Sequence, residues 1–165
     1  MHIVILGNGI TGTTAARFAR KHSSEARITV ISAESDYFYA RTALMYIYMG
    51  HLNFEDTKPY ENWFWEKNRI HLLRDYVTNI DTAQQELHFQ QHEPLPYDKL
   101  VLATGSNSNF LNWPGINLKG VQGLYSIQDL ENMEAYTQDA RQAVIVGGGL
   151  IGIELAEMLH TRGIH

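Results

Sequence analysis

The chain has 165 residues, 44% of them hydrophobic and 19% charged, the make-up of a globular protein with one compact domain or slightly more. Its formal net charge is −5 with Lys and Arg scattered, which argues against nucleic acid or an anionic membrane as partner, since both reward clustered basic side chains. There is no Cys, so a disulfide framework, a Cys-ligated metal or cluster and a redox dithiol are excluded within these residues. The N-terminus runs straight from a strand into glycines without the basic start and apolar stretch of a signal peptide, and no apolar run approaches the ~20 residues of a spanning helix. No membrane span and a cytoplasmic location are expected.

Residues 3–6 are nearly all apolar, the pattern of a strand buried on both faces. Residues 11–22 read as a helix in which Ala15, Ala16, Phe18 and Ala19 make the packing face, and residues 27–32 as a second strand. Strand, helix and strand together form a βαβ unit, whose parallel strands require a right-handed crossover. Residues 35–50 are rich in aromatics (Tyr37, Phe38, Tyr39, Tyr46, Tyr48), and 42–49 are compatible with a helix. Residues 59–68 read as a helix with Pro59 in its first turn, and 70–73 as a short strand. Residues 76–81 and 86–90 alternate like strands of an antiparallel meander. Residues 100–103 make another buried strand, ending at Thr104-Gly105, and 106–120 a loop. A helix is expected over 127–139 with Ser126 as N-cap, a final buried strand over 143–146, and a helix over 150–162 stopped by Gly163.

Two segments share a signature. Val4-Ile5-Leu6-Gly7-Asn8-Gly9-Ile10-Thr11-Gly12 resembles Val144-Ile145-Val146-Gly147-Gly148-Gly149-Leu150-Ile151-Gly152. Each places a GxGxxG between a predicted strand and a predicted helix, the context that gives this pattern meaning. The first glycine makes the tight turn, the second lets backbone approach a pyrophosphate, and the third permits close helix–strand packing. In the first copy the phosphates would face the unpaired N–H groups around Ile10 and Thr11, at the positive end of the helix. A glycine turn without ligand is the bland alternative. A Rossmann unit also carries an acid beyond its second strand for the ribose hydroxyls, and Glu34 is the first acid after Ser32. A solvated loop carboxylate is the other reading of Glu34.

Four segments resemble the FAD- and NAD(P)-dependent oxidoreductases of the pyridine nucleotide–disulfide reductase superfamily. They are the first fingerprint, Tyr39-x-Arg41-x-x-Leu44, the run from Tyr97 to Ser106, and the second fingerprint continuing through Ile153-Glu154-Leu155-Ala156. The resemblance implies an α/β architecture: a Rossmann-like FAD-binding fold, with a parallel sheet and β-meander, over residues 1–120. A connecting helix and the first βα unit of an NAD(P)-binding domain would follow over 121–165. It implies that Gly7, Gly9 and Gly12 bind the FAD pyrophosphate and Glu34 the adenosine ribose. Arg41 would sit near pyrophosphate or flavin, Val77 would offer its backbone to the adenine, and Ala103, Thr104 and Gly105 would line the cleft. Gly147, Gly149 and Gly152 would receive NADH or NADPH. Glu154 would approach the nicotinamide, with a solvated helix-face charge as its alternative.

Thiol-using relatives carry a redox Cys after the Arg, where this chain has Thr42, so the resemblance is to the Cys-less ferredoxin, rubredoxin and nitrite reductase-like members. These commonly have a Ser-Lys pair after the Leu, replaced here by Met45 and Tyr46. Family members run on through the rest of the NAD(P) domain, a return to the FAD domain and an interface domain, so this stretch alone is expected to be inactive. No catalytic residue and no metal ligand are assigned: His88 and His92 lie on a strand and turn rather than on a helix face. Trp63, Phe64 and Trp65 read as core packing or, alternatively, as a docking surface for a protein acceptor of unspecified identity. A non-catalytic nucleotide-binding module, and a homodimer formed through the strand at 143–146, are the rival expectations.

Overall fold

The computed structural model describes residues 1–165. In chain order the elements are β1 (His2–Leu6), α1 (Ile10–His22), β2 (Arg27–Ser32), α2 (Leu44–Tyr48, led in by a 3-10 turn at Arg41–Ala43), α3 (Trp63–Lys67), β3 (Ile70–Arg74), β4 (Val77–Asp81), β5 (Glu86–Phe89), β6 (Leu95–Pro96), β7 (Lys99–Leu102), α4 (Ile127–Thr137) and α5 (Leu150–Thr161). They fall into two compact units, Met1–Tyr39 with Lys58–Ser106, and Ala40–Thr57 with Asn107–His165. These units do not follow the linear division at residue 120, because residues 40–57 and 107–120 group with the C-terminal segment.

In the first unit β3, β2, β1 and β7 form a parallel sheet in that order. The register runs from His2↔Arg27 to Leu6↔Ile31 on one side of β1 and from Ile3↔Lys99 to Leu6↔Leu102 on the other. The chain thus builds outward through β2 and β3, then returns to the opposite edge of β1. Open parallel sheets bind their ligands beyond the strand ends at such a reversal. Side chains alternate across the sheet with period two. Ile5, Ile28, Val30 and Ile70 pack with Ala16 of α1 and Trp65 of α3 on one face. Val4 and Ile31 pack with Leu87 and Tyr97 of the antiparallel β4-β5-β6 meander region on the other. The fold is Rossmann-like α/β with a β-meander, as the sequence predicts.

The aromatic triplet is packed unevenly. Trp65 is 3% exposed, in the core beside Phe64, whereas Trp63 is 58% exposed with the Lys67 ammonium 4.9 Å from its ring centre. The helix expected over 59–68 shrinks to the five residues of α3.

In the second unit Tyr48 is the buried hub. Its hydroxyl donates to Thr137 Oγ1 at 2.8 Å, and the Arg162 guanidinium lies 3.9 Å from its ring centre and donates to its carbonyl. Helix α4 starts with a complete capping box: Ser126 Oγ accepts the Asp129 amide, and Asp129 Oδ2 accepts the Ser126 amide. One expectation needs correction. Residues 143–146 are not a buried strand: they belong to no sheet, and Val144 and Val146 are 90% and 71% exposed. Their apolar run has the composition of a central strand, but no neighbouring strand covers it. The one trace of pairing is at its start, where Ala143 N–H donates to His165 C=O at 2.8 Å and His165 N–H to Arg141 C=O at 3.0 Å. That alternation is how a parallel ladder begins.

Candidate functional site

The first glycine loop lies at the reversal of the parallel sheet. Gly7 takes φ +114°, and a Cβ there would come within 2.1 Å of Ala103 O, so the end of β1 and the end of β7 meet only because this residue has no side chain. Gly12 is equally constrained, since its Cβ would lie 1.9 Å from Gly7 O. Gly9 is different. A Cβ built on it meets nothing within 4 Å, and its backbone is extended as the N-cap of α1. The amides of Ile10, Thr11 and Gly12 precede the first intrahelical bond, Thr13 N–H to Gly9 C=O at 2.9 Å, and no side chain caps them. Ile10 and Thr11 are exposed. Two glycines therefore pull the backbone tight, and the third leaves a clear approach to a row of amides at a positive helix end.

The acid that the ribose would need follows β2. Glu34 donates its amide to Ser32 Oγ, and its carboxylate accepts the hydroxyl of buried Tyr39. It is half-buried rather than fully solvated. The loop that carries it is tied to the glycine turn through Asn8, whose Nδ2 donates to Ser35 C=O at 2.9 Å. Sequence reasoning singled out neither Asn8 nor the Tyr39–Glu34 bond.

The other expected residues spread over both units. Ala103 is held to the end of β1 by its amide, which donates to Leu6 C=O at 2.8 Å. Thr104 and Gly105 follow it exposed, Gly105 at φ +73°. Val77 opens β4 opposite Phe89, at a register shift between Val77 and Asn79. Just before it, Asp75 anchors the meander by accepting the amides of Tyr76, Gln91 and His92 and the His92 ring Nδ1–H at 2.6 Å. Burial works to raise its pKa, but the His92 ring and the three amides outweigh it and hold the carboxyl at about 2, below the ordinary 3.8. His92 is thereby engaged with a carboxylate. Arg41 belongs to the second unit, where its Nη1 donates to Tyr125 C=O at 2.7 Å and its guanidinium lies 4.2 Å from the Tyr125 ring centre.

The second glycine loop repeats the first in detail. Gly147 takes φ +118°, Gly149 is the extended N-cap of α5, and a Cβ on Gly152 would lie 2.2 Å from Gly147 O. Ile153 N–H closes the helix on Gly149 C=O as Thr13 does on Gly9. His165 N–H meets Arg141 C=O as Arg27 N–H meets Met1 C=O. The copies differ in one respect: nothing stands within 4 Å of a Cβ on Gly147, where Gly7 has Ala103.

A parallel sheet that reverses beside a glycine turn is the Rossmann-like α/β architecture. The chain belongs to the pyridine nucleotide-disulphide oxidoreductase family, whose profile matches residues 1–165. It is 32% identical over 99% of its length to the ferredoxin–NAD(+) reductase component of a biphenyl dioxygenase system from Paraburkholderia xenovorans, covering 40% of that protein. It is 33% identical over 98% of its length to a nitrite reductase [NAD(P)H] from Bacillus subtilis, covering 20% of it. The crystal structure of NADH:rubredoxin oxidoreductase from Clostridium acetobutylicum superimposes with a TM-score of 0.87 at 30% identity, over 99% of this chain and 42% of that one. The chain thus spans less than half the length of these relatives. No helix is long and apolar enough to cross a membrane.

Proposed function

We propose that the first loop and Glu34 hold FAD by its ADP half, and that the chain is the FAD-binding part of an oxidoreductase passing electrons from NAD(P)H through FAD to an acceptor. The observation that carries this reading is the bare cradle at Gly9: open space before uncapped amides, between two glycines that admit no side chain. FAD, when bound, supplies the redox chemistry, and protein supplies binding and orientation. The amides of Ile10, Thr11 and Gly12 receive the diphosphate, and Glu34, steadied by Tyr39, accepts ribose hydroxyls. Ala103, Thr104 and Gly105 line the cleft beside Gly7, and the Val77 backbone faces the adenine. Arg41 serves the pyrophosphate or flavin. The loop at Gly147, Gly149 and Gly152 receives NADH or NADPH. No side chain here is assigned as acid, base or nucleophile. The names of the relatives favour an electron-carrier protein or an inorganic anion as final acceptor. The FAD-binding domain takes in residues 1–120 and the NAD(P) unit begins within 121–165, a division by cofactor rather than by compactness.

Protein purified without added cofactor and then denatured should release FAD at close to one per chain. Release of ADP alone would favour the rival reading, a nucleotide-binding module without redox function, and release of nothing would refute both. The isolated chain should hold flavin without turning over NADH, because residues 143–146 join no sheet around the second loop. Steady NADH oxidation at an ordinary flavoenzyme rate would contradict this. The exposed Val144, Val146, Leu150, Ile151 and Ile153 favour self-association of the second unit with another copy. A sedimentation size that stays monomeric at rising concentration would rule that out.

A further inference from the structure

Asn8 stands between the two glycines that shape the cradle, at a position the fingerprint leaves unspecified. A residue there has no need to be buried, yet Asn8 is only 8% exposed. Its Nδ2 donates to Ser35 C=O at 2.9 Å and to Ser35 Oγ at 3.2 Å. The Ser35 hydroxyl in turn donates to Tyr37 C=O at 2.9 Å. At its other end, the Asn8 carbonyl accepts Thr13 Oγ1 at 3.0 Å, across the first turn of α1. Asn8 is therefore bonded at its backbone to the turn that presents the amides, and at its side chain to the residue next to Glu34. Both partners on the far side are parts of the short segment whose carboxylate Tyr39 holds. A buried amide donor with two acceptors gives a fixed geometry, since breaking it strands a carbonyl away from water.

We propose that Asn8 is a positioning residue that sets the distance between the diphosphate cradle and Glu34, so that the site selects an adenosine diphosphate with an intact ribose 2′-hydroxyl. The proposal rests on the assignment of the first loop to the ADP half of FAD. A ligand spanning both subsites gains from Glu34 only when the amides and the carboxylate are spaced for the same molecule. Loosening the tie uncouples the two ends. The diphosphate still finds its amides, but the hydroxyl contact no longer forms at the same time, and discrimination falls.

The test uses the 165-residue chain freed of nucleotide, with ADP and 2′-deoxy-ADP titrated calorimetrically. The wild-type chain should prefer ADP by about tenfold, the loss of one hydroxyl contact. Asn8→Ala should bind ADP about tenfold more weakly, and its preference over 2′-deoxy-ADP should fall close to one. Ser35→Ala, which keeps the bond to the carbonyl and loses that to the hydroxyl, should lower the preference by about threefold. An Asn8 that merely supports the fold would weaken both ligands alike and leave the ratio at its wild-type value, and that result overturns the proposal. Should Asn8→Ala fail to fold, an unchanged ratio in Ser35→Ala overturns it equally. A wild-type chain that binds ADP without preference removes Glu34 as ribose ligand, and the coupling with it. A wild-type chain that binds neither ligand instead refutes the flavin reading itself.

Discussion

At the scale of single residues, three glycines of one motif answer to different constraints, and substitution separates them. Gly12→Ala would drive a methyl into Gly7 O, so it should cost about 2 kcal/mol or more of stability and abolish flavin retention together. Gly9→Ala adds its methyl to open space at a backbone conformation any residue adopts. Its unfolding free energy should stay within about 0.5 kcal/mol of wild type, while FAD affinity drops about tenfold or more through blocked approach. Urea unfolding and flavin titration on the two variants check the contrast, and equal destabilisation of both would contradict it. The glycines themselves are readable from spacing because their job is local. Asn8 is not, because its partner Ser35 is brought beside it only when β2 pairs with β1. Arg41 is legible from its motif, but its contact with Tyr125, 84 positions away, is hidden for the same reason.

At the scale of elements, one buried carboxylate ties the turn after β5 to the end of β3. Asp75 closes β3, donates its amide to Ser32 C=O at 3.1 Å, and gathers the turn after β5. Because its folded pKa of about 2 lies below the ordinary 3.8, its contribution is fully present above pH 3.8 and is lost as pH falls from there through 2. His92→Ala removes the strongest of the bonds that lower this pKa, so thermal midpoints should be lower at neutral pH and fall less steeply across that acid window. An acid limb with unchanged slope would show that the pair does not carry it. Helix α4 depends on Ser126 in the same local way. Ser126→Ala should destabilise the unit that contains it by about 1 kcal/mol, read from denaturant midpoints. That cap is visible in sequence because its partner Asp129 is three residues on. The strand expected at 143–146 failed for the opposite reason. Burial of an apolar run is conferred by neighbouring strands, and its own letters cannot show whether they are there.

At the scale of the molecule, the chain carries two loops of matching glycine geometry in unequal surroundings. Around the first, β2 and β7 flank β1 and two hydrophobic faces are filled. Around the second, Val144 and Val146 stand exposed. Replacing both with Lys should leave flavin retention untouched and reduce self-association, measured by sedimentation. A loss of flavin on that double substitution would mean that the first site depends on the second unit.

The second loop keeps its dihedral angles and its glycine-to-carbonyl contact although no sheet supports it. Its bend is closed by its own atoms, Gly152 against Gly147, as Gly12 closes on Gly7. For the nucleotide proposed above, such a loop would be preorganised: an incoming anion would have little loop entropy to freeze out, so more of the electrostatic attraction would survive as affinity. It also makes the motif portable, a nine-residue cassette that keeps its shape in two different structural surroundings within one polypeptide.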